Sequence, residues 1–273
     1  MTRQIVMHLD DLGASHGANM AFIELCDMGL MNSGAVMVPC PWFPEMAELA
    51  RQRPQLDIGV HLTLTAEWTK FRWRPLTGVS DNGLTDPDGF FWRRVADARK
   101  ADLRAVEAEL RLQIDTALRA GIDITHLDSH MGTVWHPEML ALFTQLGEDY
   151  RLPVIITRDM VRMGADAAQL PAALARLEAM QAPIFDAYVT TTFGKAKAIG
   201  KNYRRIFEAM PDGLSWGAWH CTTPGDMNLF APDMGLRATE YDLFREGKIR
   251  KMLEREKIET VGMRQFRDRM RAT

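Results

Sequence analysis

Cysteine is scarce in this sequence: Cys26, Cys40 and Cys221 are the only three among 273 residues. An odd, widely spaced set makes neither a disulfide framework nor a cysteine-based zinc motif, so a reducing compartment is expected. Positive charge is not in excess either. There are 33 Lys and Arg against 36 Asp and Glu, a net charge of -3 and a pI near 6.2. That balance excludes the strongly basic face that nucleic-acid binding requires. No apolar run approaches membrane-spanning length, and residues 1–6 enter a strand pattern without an apolar signal core, so the chain reads as cytoplasmic. Internal repeats and low-complexity segments are missing too. So is a glycine-rich phosphate loop after the first strand, because Asp10-Asp11-Leu12-Gly13 puts negative charge where a phosphate would sit.

What is present is an ordinary globular composition, 47% hydrophobic and 25% charged, in a chain long enough for a large core. Ile5-Val6-Met7-His8-Leu9 is the near-continuous apolar run of a strand covered on both faces. A helical stripe over residues 17 to 29 follows, closed by Gly29. Strand and helix then alternate: strands near 33–38 and 57–62, helices near 44–52 and 100–120, and a strand entering His126. A helix opens at His136-Pro137-Glu138. Later strands are expected at 154–156, 187–189, 214–220 and 260–262, with helices between and after them. Seven or eight such units predict a single (β/α) barrel, complete or irregular, rather than an open doubly wound sheet. Residues 64 to 99 break the rhythm. They hold Trp68, Trp73, Trp92, Phe90 and Phe91, too aromatic for disorder, and read as a binding loop over the site.

In a barrel, sites form at the C-terminal ends of the strands. The ionisable residues fall there: Asp10 and Asp11 after the first strand, His61 after the third, His126, Asp128 and His130 after the fourth, and His220 after the seventh. A spacing of two in an extended chain puts His126, Asp128 and His130 on one side. Imidazoles and a carboxylate with one open position suit a divalent ion that activates water. A second, adjacent carboxylate can take the proton and a histidine can return one to the leaving group. Each residue also has a plainer reading. The Asp pair could cap a helix or shape a turn, and a lone His61 in an apolar strand could be a hydrogen-bonded core residue. His8 reads as core.

Taken in order, these motifs resemble the YdjC-like carbohydrate deacetylases, a family that includes chitooligosaccharide deacetylase. The resemblance runs through Asp10-Asp11-Leu12-Gly13, Gly17, Asn19, Gly29, Ser33, residues 58–65 and Thr125-His126-Leu127-Asp128-Ser129-His130, and reaches an Arg-x-x-Glu element at Arg237 and Glu240. It implies a seven-stranded or otherwise irregular (β/α) barrel related to polysaccharide deacetylases. It also implies removal of acetyl from an N-acetylated sugar with one divalent ion, magnesium or zinc. Carried over by position, the ligands would be Asp11, His61 and His126, with Asp10 as base and His220 or His130 as the acid. Asp128, His130, Arg237 and the loop tryptophans Trp73 and Trp92 are expected to face the substrate. Whether the protein forms a homo-oligomer stays open.

Two departures lie on the substrate side. Met131-Gly132-Thr133 stands where the family usually has further histidines, and Cys221-Thr222-Thr223 separates His220 from Pro224-Gly225. The substrate therefore need not be a chitin fragment. Rival readings are another metal-dependent amidase or a phosphoesterase, and a sugar-binding barrel without turnover. A two-metal phosphoesterase needs more bridging carboxylates than these motifs hold, and binding alone would not need a spare base at Asp10.

Overall fold

The computed structural model describes residues 2–79, 81–194 and 196–272. The strands are β1 (Arg3–Leu12), β2 (Ser33–Val36), β3 (Ile58–Leu62), β4 (Ile124–Ser129), β5 (Ala187–Thr190), β6 (Gly213–Trp219) and β7 (Ile258–Val261). The helices are α1 (His16–Asp27), α2 (Phe43–Gln52), α3 (Val95–Ala98), α4 (Leu103–Arg119), α5 (Pro137–Tyr150), α6 (Leu170–Ala179), α7 (Ile199–Glu208), α8 (Met234–Arg245), α9 (Lys248–Arg255) and α10 (Arg264–Ala272). Local signals set several of these ends. Ser15 caps α1 by accepting from the Ala18 N–H, Asp102 caps α4 by accepting from Arg104 and Ala105, and Pro137 opens α5. In α4 the residues Val106, Leu110, Ile114 and Ala117 recur at three- and four-residue steps and turn one buried stripe to the sheet.

All seven strands join one sheet: six run in the order β4-β3-β2-β1-β6-β5, β7 adds to β1 off that path, and every pairing is parallel. The ring closes through a thin stave at residues 154–157. Leu127 of β4 bridges Val154, and Thr157 bridges Phe185 just before β5. The expected strand at 154–156 is thus two isolated bridges. β7 pairs Arg3–Val6 of β1 on the edge opposite β6, below the point where β2 begins at His8. The architecture is an irregular parallel barrel with an outer layer of helices. Among the described residues, no helix is long and apolar enough to cross a membrane.

The loop at 64–99, which includes Ser80 outside the described residues, is a folded flap. Thr65 bridges Trp92, and Thr85 bridges Phe91. Buried Glu109 of α4 accepts from the Leu76 and Thr77 backbone N–H groups, and Arg72 pairs with Asp86 at 2.7 Å. Trp68 lies against Trp73 and Phe230 at 5.7 and 5.2 Å between ring centres, and Phe71 stacks on Phe230 at 4.3 Å. The flap thus has a small aromatic core, completed by Phe230 from the segment before α8.

Candidate functional site

The site begins with a defect in β1. Its register with β2 shifts between Leu9 and Leu12, and Asp11 takes a left-handed backbone with φ 64°. Neighbouring side chains on a regular strand point to opposite faces, whereas a bulge re-aims one of them. Asp10 and Asp11 consequently both line one cavity at the barrel mouth. A left-handed aspartate costs on the order of 1–2 kcal/mol, the kind of local strain that gathers at functional positions.

Asp11 holds the centre. Its Oδ2 accepts from Arg237 at 2.7 Å, and Arg237 also donates to Asp233 at 2.7 Å. Its Oδ1 lies 3.5 Å from His61 Nε2 and 3.1 Å from His130 Nδ1. Oδ1 of Asp11 and Nε2 of His61 are both buried and make no hydrogen bond. Burial raises the Asp11 carboxyl, but the Arg237 guanidinium and the His130 and His61 rings outweigh it and hold it well below the usual carboxylate range. The far side of each ring is anchored. His61 Nδ1–H donates to Asp128 at 2.7 Å, and His130 Nε2–H donates to Glu67 at 2.9 Å. Burial alone would depress both histidines. Asp128, with Asp11 and Asp10, pulls His61 well above its ordinary value, while Glu67 and Asp11 push His130 up to about 9.

Asp10 accepts from His8 Nδ1–H at 2.7 Å, and its other oxygen faces His220 Nε2 at 3.6 Å and His61 Nε2 at 3.9 Å. His220 follows β6. Thr191 spends its hydroxyl proton on Glu240 at 2.8 Å, so its oxygen accepts from His220 Nδ1–H at 2.7 Å. Glu240 also accepts from the His220 backbone N–H at 2.6 Å and from Tyr203. The ring is therefore fixed with Nε2 towards Asp10.

Several positions differ from the expectations drawn from sequence. His126 is not beside Asp11 and His61. Residues two apart on a strand share a face but lie about 6.6 Å apart along it. His126, Asp128 and His130 therefore occupy successive levels, and only His130, at the start of a tight turn over His130–Trp135, reaches Asp11. His126 lies on the floor, its Nε2 3.0 Å from His8 Nε2 and its Nδ1 3.0 Å from Thr125 Oγ1. A Cβ on Gly59 would fall 2.5 Å from this ring, so glycine there is a condition of its position. Burial and the neighbouring His8 hold His126 well below its ordinary value. His8, read as plain core, belongs to the same polar column.

Asp128 does not line the cavity but backs His61. Trp73 is buried in the flap core, donating to Thr65 O at 2.9 Å, and Trp92 donates to Gly83 O at 2.8 Å. Neither lines the cavity, because the flap uses both rings to hold itself together; Trp68 lines it instead. Arg237 lines it. Glu67 went unmarked, and its only local signal is one acid amid Thr65-Ala66-Trp68.

Two other groups of His and Asp atoms come within 4.8 Å of one another, namely His8/His126/Asp128 and Asp10/His61/Asp128. Their atoms already satisfy each other, with His8 on His126 at 3.0 Å and His61 on Asp128 at 2.7 Å. Among the described residues, the group of Asp11, His61 and His130 is the one that brings two unpartnered buried atoms, Asp11 Oδ1 and His61 Nε2, together with a third donor, and a hard carboxylate with two imidazoles is a set that suits a divalent ion. Above it opens a cavity of about 540 Å³.

Residues 4–255 match the family described as YdjC-like protein. The chain is 32% identical over 252 residues to a carbohydrate deacetylase of Thermus thermophilus, covering 92% of this chain and 89% of that one. It is 33% identical over 153 residues to a carbohydrate deacetylase of Brevibacillus brevis, covering 55% of this chain and 58% of that one. A solved Enterococcus faecalis structure, proposed to be a cellobiose-phosphate cleavage protein, superposes with a TM-score of 0.80 at 20% identity. It covers 97% of this chain and shares its fold.

Proposed function

The chain belongs to the YdjC-like protein family, and on that premise we propose that it is a hydrolase removing acetyl from an N-acetylated sugar with the help of one divalent ion. The observation that carries this reading is the convergence of unpartnered Asp11 Oδ1 and His61 Nε2 with His130 Nδ1 in a buried pocket beside a second carboxylate. Asp11, His61 and His130 would hold the ion, with His130 in the place the family resemblance gave to His126. When bound, a divalent ion polarises a carbonyl oxygen and acidifies water. Magnesium and zinc both fit this donor set.

The chain's own groups divide the remaining work. Asp10 accepts the proton of the attacking water, and His8 keeps its carboxylate turned into the cavity. His220, held by Thr191 and the Glu240 carboxylate, donates a proton to the departing amine. Arg237 offsets the charge of Asp11. Asp128 and Glu67 fix the tautomers of His61 and His130, so that Nε2 of one and Nδ1 of the other stay free for a ligand. The three unpaired cysteines support a cytoplasmic setting.

The test is acetate release from a panel of N-acetylated amino sugars by protein loaded with magnesium or zinc. Release that stops on chelation and returns with the ion is the expected result. Tight ion and sugar binding without acetate from any member would make the protein a binding barrel instead.

A further inference from the structure

Resting on the deacetylase reading, we propose that the substrate is an amphipathic amino-sugar derivative, an N-acetylated sugar bearing an aryl or alkyl aglycone that seats against Met131, Met163 and Phe193. The cavity lining holds Asp10, Asp11, Asp233 and Arg237 together with these three apolar side chains. They come from three consecutive staves of the ring: Met131 from the turn after β4, Met163 from the turn after the 154–157 stave, and Phe193 from the segment after β5. They therefore form one continuous arc of the mouth. Behind the arc Trp135 and Tyr188 meet edge to face at 5.3 Å and line the same wall.

The arc is exposed. Met131 is 46%, Met163 37% and Phe193 58% accessible, three of ten large apolar side chains left open among the described residues, and these three share one cavity. Apolar side chains clustered at a concave site mark what the site takes up, whereas scattered ones need no explanation. The backbone holds them there. Met131 is in the left-handed region at φ 53°, and its sulfur meets the Thr65 hydroxyl of the flap at 3.4 Å. What seats on the arc must also reach the catalytic groups, since the Phe193 ring lies 5.2 Å from that of His220. This makes the occupant the substrate itself. Asp233 also lines this cavity, and its Oδ1 is buried without a hydrogen-bond partner, a free acceptor for a sugar hydroxyl that enters beside it. An acetylated amine at the ion, a hydroxyl on Asp233 and an apolar tail on the arc together describe the ligand.

The experiment compares methyl and octyl glycosides of one N-acetylated amino sugar, the latter below its micelle concentration. For acetate release by the metal-loaded enzyme, kcat/KM should favour the octyl glycoside by roughly 10–200-fold, the range that apolar pockets achieve per added group. Met163→Ser and Phe193→Ser, both exposed and checked for folding by circular dichroism, should shrink that ratio chiefly through KM. Calorimetric binding of both glycosides to metal-free protein separates this inference from the one beneath it. Preferential octyl binding with no acetate from either glycoside would overturn the deacetylase reading and uphold the arc. Equal binding and equal kcat/KM, or a preference unmoved in both serine variants, would overturn the arc even if acetate were released.

Discussion

Four buried histidines lie in two layers of the same barrel, and the layers behave oppositely. On the floor, His8 and His126 face each other at 3.0 Å beside Trp216. At the mouth, His61 and His130 face the carboxylate of Asp11. Exposure does not distinguish them, being 0%, 0%, 1% and 3% in that order. Their neighbours do. Burial and the neighbouring His8 hold His126 well below its ordinary value, whereas at the mouth carboxylates outweigh burial and raise His61 and His130. The floor rings meet partners on both nitrogens, but the mouth leaves His61 Nε2 and Asp11 Oδ1 without any. A buried polar atom without a partner is costly, so its retention is the stronger mark of a ligand position than burial itself.

The sharpest way to break the contrast is to truncate one ring in each layer. His61→Ala should lose the ion and all measurable acetate release. His126→Ala should keep near-equal ion stoichiometry by elemental analysis and show its loss in melting temperature. Equal ion loss in the two variants would erase the distinction. Next in size is Asp10→Asn, which keeps the ion but cannot accept the water's proton. Turnover should fall roughly 10²–10⁴-fold, and an unimpaired Asp10→Asn enzyme with full ion occupancy would move the base elsewhere.

Smaller effects are expected behind the ligands. Asp128→Asn and Glu67→Gln leave the rings in place but loosen their orientation, and ion affinity by competitive chelation should weaken by about 10–100-fold. Unchanged affinity in both would mean that Asp11 alone orients the two rings. The smallest effect is in the pH dependence of the metal-free protein, and there the two layers differ in sign. His130 is raised to about 9. Its stabilisation is therefore fully present below the unfolded value of about 6.5 and is lost as pH rises through about 9. His126 is depressed, so its stabilisation is present above about 6.5 and is lost as pH falls below that. Relative to wild type, the melting temperature of His130→Gln should be lowest near pH 6 and recover towards pH 10. That of His126→Gln should be lowest near pH 8 and recover towards pH 5. Parallel profiles for the two variants would refute the opposed electrostatics.

Much of the fold could be read from residue patterns because burial on both faces leaves a direct mark. Ile5–Leu9 is apolar without alternation, and Asp57–Leu62 is nearly so, since helices cover one face and the barrel interior the other. The start of α5 at Pro137 was likewise visible as chemistry. The stave at 154–157 was read as an ordinary strand because its composition is that of one; its thinness is a matter of pairing. In the flap, Trp73 and Trp92 read as ligand contacts since a loop has no periodicity to tell an inward ring from an outward one. The need of a long excursion for its own core decided their places.

The sequence by itself determined which residue types reach the strand ends: carboxylates at the end of β1, a histidine at the end of β3, and histidines just after β4 and β6. Local chemistry and the period of two suffice for that. Tertiary structure alone decided their partners. The bulge with Asp11 at φ 64° turned neighbouring carboxylates into one cavity, and Gly59 let His126 sink to the floor. The turn after β4 brought His130 to the mouth, and α8 delivered Arg237 to Asp11 from 226 positions away. Depth along a strand depends on register with the strands beside it. Which atoms stay unpaired depends on every neighbour at once, and neither quantity is carried by a local stretch of chain.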